Sequence, residues 1–150
     1  MIFELIDGQG TSNIRIGINR TKLQAILGPG EEFRRTPDAP LSEDFNGFMA
    51  TYGSNDKLIM MEFCEPATPM LSGIPLLGAP LASVINEIQT RLGLKVTHDA
   101  EGAFIDELGL GLWSPDGPTG NVEGVQLGMH EPASMDPARN PWPSAKLTGE

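Results

Sequence analysis

The chain has 150 residues, 39% hydrophobic and 20% charged, with a single cysteine and a formal charge of −10. That length suits one domain burying about 68–70% of its unfolded surface without disulfides, which excludes a chain that is disordered throughout. The longest apolar run, Leu58 to Met61, is four residues, against the roughly 20 needed to span a bilayer.

Ile2 to Ile6 reads as a short strand, closed by a turn over 8–13. Ile14, Ile16 and Ile18 then alternate with Arg15, Gly17 and Asn19, the period of a half-buried strand of β-branched residues. A short helix follows. Asn19 or Thr21 can cap it, and Thr21 with Gln24 fits a capping box. Leu23, Ile26 and Leu27 form its apolar face, and Gly28-Pro29 ends it. Residues 31–47 are polar and broken by Pro37 and Pro40; they read as a brief strand near 33–36 and then a loop. Phe48 to Tyr52 and Leu58 to Phe63 form a hairpin about the turn 53–57. Residues 65–75 read as a proline-rich connector. Gly78-Ala79-Pro80 then opens the strongest helix, whose Leu81, Val84, Ile85, Ile88 and Leu92 make one stripe ended by Gly93. Leu94 and Val96 continue as a strand, 99–102 as a turn, and 104–106 with Leu108, Leu110 and Leu112 as further strand. After a long turn over 114–120, residues 122–129 return. The segment 131–150 holds Pro132, Pro137, Pro141 and Pro143 and no apolar period, so it is expected to be extended or mobile, with Trp142 as its one anchor.

Two stretches read alike. Aligning Gly17 with Gly78 brings Leu23 onto Val84 and Leu27 onto Ile88. Each stretch then runs through a glycine cap, a strand and a hairpin whose outgoing strand ends in an aromatic (Tyr52, Trp113). Each return strand carries one glutamate (Glu62, Glu123). The expected fold is therefore α+β: two tandem α-β-β-β units, about 14–63 and 74–129, forming a mainly antiparallel sheet with two helices on one face. One such helix cannot cover its sheet alone, whereas two units side by side share a core.

The charge is uneven. Residues 1–35 carry four acids and five bases, residues 36–136 fifteen acids and three bases. Such a surface repels phosphate backbones, so neither nucleic acid nor anionic membrane is an expected partner. The first ten residues carry no basic stretch followed by an apolar one, and one cysteine permits no internal disulfide, so a cytoplasmic location is expected.

Motifs for chemistry are thin. Cys64, His98 and His130 are the only thiol and imidazoles, and nothing in their spacing forces contact. Those three scattered residues fall short of a four-ligand zinc site. The run from Asp99 fails as a calcium loop, because the position six beyond Gly102 is Leu108 where a glutamate is needed. The expectation is no catalytic residue, no metal and no cofactor. The remaining signal is a set of carboxylates on turns and hairpin edges, where function tends to sit: Asp38, Glu43, Asp44, Asp99, Glu101, Asp106, Glu107 and Asp116, with Tyr52 or Trp113 as an aromatic centre.

The strings IGINRTKLQAILGPG (16–30), TYGSNDKLIMMEF (51–63) and LLGAPLASVINEI (76–88) resemble small, acidic bacterial proteins that act as immunity partners of secreted toxins. The repeated order of helix then antiparallel sheet is also similar to the β-lactamase inhibitory protein, which binds with its sheet face; this chain differs in having no disulfide pairs. The resemblance implies a non-enzymatic binding protein whose acidic surface takes a basic toxin or nuclease. A small-ligand protein or enzyme on the same scaffold, and a symmetric dimer joined along an edge strand, are the alternatives.

Overall fold

The computed structural model describes residues 1–128; His130, Trp142 and the proline-rich segment lie outside the described residues. Two helices, α1 (Arg20–Leu27) and α2 (Leu81–Leu92), accompany eleven strands. Eight of these form one antiparallel sheet: β2 (Glu31–Phe33), β3 (Ser42–Asp44), β4 (Phe48–Tyr52), β5 (Leu58–Phe63), β8 (Thr97–His98), β9 (Gly102–Ile105), β10 (Leu110–Trp113) and β11 (Gly124–Gly128). Their order is β2-β3-β4-β5-β11-β10-β9-β8. Each helix is thus followed by a four-stranded meander, and the two meanders meet where β5 pairs with β11. A smaller sheet holds β1 (Ile2–Leu5), β6 (Thr68–Leu71) and β7 (Ile74–Pro75), with β1 and β6 parallel.

Alternation along the strands sorts the large sheet into two faces. The inner face carries Phe48, Ala50, Met61, Phe63, Leu110, Leu112, Val125 and Leu127, all buried. They belong to one core with Leu23 of α1 and Leu81, Val84, Ile85 and Ile88 of α2. Phe3 of β1 meets Phe48 and Phe63 at ring-centroid distances of 5.1 and 5.2 Å, which ties the small sheet to the large one. The stripe read along α2 is therefore the stripe it buries.

Several local readings change. Residues 14–18 make no named strand. Thr11 Oγ1 accepts from the Ile14 amide and Gly17 turns at φ 96°, so only isolated bridges form, Gly10 with Arg15 and Asn19 with Lys57. Asn19, not a Thr21–Gln24 box, caps α1 by accepting from the Thr21 amide at 2.8 Å. The polar segment after α1 ends its first strand at Phe33 and contains a second, β3. The connector 65–75 holds β6 and β7. Pro80 gives α2 no side-chain cap; carbonyls of Gly120 and Pro118 accept from Leu81 and Ala82 instead, so the β10–β11 loop seats the helix. Gly47 lies at φ 101°, where a Cβ would stand 2.8 Å from the Cys64 carbonyl oxygen; glycine alone lets the β3–β4 turn approach the end of β5.

Candidate functional site

Register decides where the sequence-singled residues fall. Glu43 and Tyr52 are not at the surface: they are 0% and 1% exposed. Glu43 pairs with Ala50, which places it on the inner face. Its Oε1 accepts from the Tyr52 hydroxyl at 2.7 Å, and its Oε2 accepts from Gln24 Nε2 at 2.9 Å and the Gly30 amide at 2.8 Å. A buried carboxylate is tolerable only when hydrogen-bonded in this way. Burial and the Glu43 carboxylate beside it push the Tyr52 hydroxyl far above its ordinary value. Arg20 lies over the Tyr52 ring at 5.9 Å while bonding Asp56 and Glu32. Glu43 and Tyr52 fasten α1 to the sheet, buried and with their polar atoms bonded within the chain.

The exposed carboxylates do not converge. Asp38 lies in the β2–β3 loop and Asp106 and Glu107 in the β9–β10 turn, all at the end of the sheet marked by the pairs Ser42–Thr51 and Ile105–Leu110. Asp44, Asp99, Glu101 and Asp116 lie at the opposite end, beyond or beside Met49, Gly102 and Trp113. Five residues of strand separate the two ends, about 17 Å. Asp44 and Asp99 also serve their own turns: Asp44 Oδ1 accepts from the Asn46 amide, and Asp99 Oδ1 from the Glu101 and Gly102 amides. The acidic bias is a field around both ends of the sheet, not one patch.

The thiol and the described imidazole do not meet either. Cys64 follows Phe63 at the end of β5, and His98 sits on β8. Three strands lie between them, about 19 Å at the usual strand spacing. Burial, then the charges of Asp44, Glu62 and Glu65, push the Cys64 thiol up, which makes it a poor nucleophile near neutral pH. No group of three or more His, Cys, Asp or Glu among the described residues could hold a metal ion. Nor is any described helix long and apolar enough to cross a membrane.

The outer face of the sheet has more to offer. One transverse row runs through Asp44, Met49, Glu62, Gln126, Gly111 and Phe104, and continues to the edge strands at Glu31 and Thr97. Its centre is polar in strands that are otherwise apolar. Glu62, between Met61 and Phe63, is 6% exposed, and Gln126, between Val125 and Leu127, is 2% exposed. Arg35 reaches from the β2–β3 loop across this face and donates from Nη2 to Glu62 Oε1 at 2.6 Å. Burial pushes the Glu62 carboxyl up despite the opposing pull of Arg35. Gln126 Oε1 is buried with no hydrogen-bond donor among the described residues. Trp113, which unlike Tyr52 is not fully buried, shares this face two residues beyond Gly111. Glu62 had a sequence signal as the lone acid of its return strand, and Gln126 one as a polar residue at the outward phase of β11; only register brings them together.

Comparison with protein-family models, curated proteins and solved structures returns no match.

Proposed function

We propose that this chain is a non-enzymatic binding protein that takes a basic protein partner on the outer face of its sheet, as an immunity-type inhibitor of a toxin or nuclease in the cytoplasm. The observation that carries the reading is the Glu62–Gln126 centre of the transverse row: a buried carboxylate and an amide oxygen without a donor, on the sheet face opposite both helices. Around it, carboxylates at both sheet ends supply a long-range field. Such a field raises the association rate toward ~10⁸–10⁹ M⁻¹s⁻¹ at low salt and fades as ions screen it. A stable complex of this kind buries about 1,600 Å² in total. Each helix-plus-meander half has four strands where the expected unit had three; the matching order of the halves supports a duplicated helix-then-meander unit, which would make the broad sheet a product of tandem repetition.

The test is capture of the product of the adjacent reading frame by the full chain, repeated from low to high salt. The reading expects capture that weakens steeply with salt. Capture indifferent to salt, or none, contradicts it. A symmetric dimer along β1 is the second reading, because Ile2 and Ile6 are 70% and 53% exposed beside that edge strand; light scattering at low micromolar concentration distinguishes it by mass.

A further inference from the structure

Gln126 and Glu62 are directly opposed across β11 and β5, so their Cβ atoms lie about 4.5–5.5 Å apart on the same face. Glu62 accepts from Arg35 with Oε1, and among the described residues no other hydrogen bond to its carboxylate is seen. Gln126 Oε1 is buried and unmet. Native proteins leave few buried acceptors in that condition, because water is lost and nothing replaces it. A buried acceptor without a donor beside a carboxylate matches a planar donor fork: a guanidinium presents paired N–H groups, whereas an ammonium is a compact point charge. The protein already shows this chemistry, since the group that does sit on Glu62 is the guanidinium of Arg35. Arg35 comes from a loop, makes this one side-chain hydrogen bond among the described residues, and keeps 32% of its side chain exposed. Beside Gln126 in the row stands Gly111, which carries no side chain.

Resting on the binding role proposed above, we infer that Glu62 and Gln126 form a socket for one arginine side chain of the partner. The incoming guanidinium takes the place of Arg35 on Glu62 and donates its second N–H to Gln126 Oε1. Arg35 is then an internal occupant that holds the socket in the free protein and leaves it on binding.

Isothermal titration of the full chain with a hexa-arginine peptide tests this, with hexa-lysine and hexa-citrulline peptides as controls. Hexa-arginine is expected to bind more tightly than hexa-lysine, and hexa-citrulline not to bind. Gln126→Leu removes the acceptor without leaving a buried polar atom and is expected to weaken hexa-arginine binding about tenfold, with unchanged or higher thermal stability. Arg35→Ala removes the competitor and is expected to tighten binding several-fold, an effect that a merely structural role for Arg35 does not produce. Equal affinities for the arginine and lysine peptides, a Gln126→Leu variant that binds as wild type, or an Arg35→Ala variant that binds no better each overturn the socket. If hexa-arginine binds but neither variant changes its affinity, the socket fails while a basic-partner role stands. If no cationic peptide binds, the socket fails, and salt-dependent capture then decides the broader role by itself.

Discussion

The two halves of the large sheet have the same strand plan but fasten their helices differently. In the second half α2 buries Leu81, Val84, Ile85 and Ile88 against inner-face residues such as Ala103 and Ile105. In the first half α1 buries only Leu23, and its ties to the sheet are polar: Gln24, with Gly30 just beyond the helix, bonds the carboxylate of Glu43, and Arg20 bonds Glu32 of β2. Where β9 and β10 set Ala103 against Leu112, β3 and β4 set Glu43 against Ala50. One helix is held by area removed from water, the other by a charged hub whose donors must all stay in place. An apolar stripe loses its contribution in proportion to what is cut away, whereas a buried hub fails as a unit because every lost bond leaves an unmet group. A buried acid whose oxygens are both met by the chain's own donors, as in Glu43, is therefore no guide to a binding surface.

Breaking the hub should have the largest effect. Glu43→Ala leaves the Tyr52 hydroxyl, Gln24 amide and Gly30 N–H without their acceptor. We expect a loss of about 3–5 kcal/mol in urea unfolding, since three donors are left unmet at about 1–3 kcal/mol each, with amide exchange in α1 accelerated more than in α2. Ile88→Ala cuts the fully buried centre of the α2 stripe and should cost about 2–5 kcal/mol, with the opposite exchange pattern. If both substitutions loosen both helices equally, the two halves are one fastening and the contrast falls. Tyr52→Phe removes only one donor from Glu43 and should cost about 1.5–3 kcal/mol, the range for a hydrogen bond to a charged group.

The smallest effect is a difference in pH dependence at Glu62. A carboxyl raised in the folded protein contributes stability that is complete below its ordinary value of 4.5 and is lost as pH rises through the raised folded value. Glu62→Gln removes that loss. Its urea midpoint should lie above that of the wild type at neutral pH, and the two should converge as the solution is acidified toward that ordinary value. A wild type that gains on the variant as pH rises contradicts the upward shift.

The sequence made the α2 half easy to read and the α1 half hard, for the same reason. Periodicity reports apolar burial, so the stripe of α2, the β4–β5 hairpin and the returning β11 all stand out. The strand Ser42–Asp44 does not, because its inward residue is a glutamate and its neighbours are polar. Its hub depends on Tyr52 and Gln24, which are distant in sequence and meet only through strand pairing. Strands β6 and β7 hide among prolines that local propensity assigns to a connector. The outer-face row is invisible for a further reason: each residue in it comes from a different strand, and a shift of register by one residue would turn it inward. Counting acids therefore picks out one buried group, Glu43, and a scatter of turns, while the lone glutamate of β5 and the glutamine of β11 gain meaning only once register sets them side by side.

The central claim is that the outer face of the sheet, not its acidic turns, receives the partner. Backbone and side-chain amide resonances of the full chain, followed during addition of a hexa-arginine peptide, test it most directly. The account predicts the largest shifts at Met49, Glu62, Gln126 and Gly111, with the Gln126 side-chain amide among them. Shifts confined to residues 99–101, 106–107 and 116, with Gln126 unmoved, would contradict it.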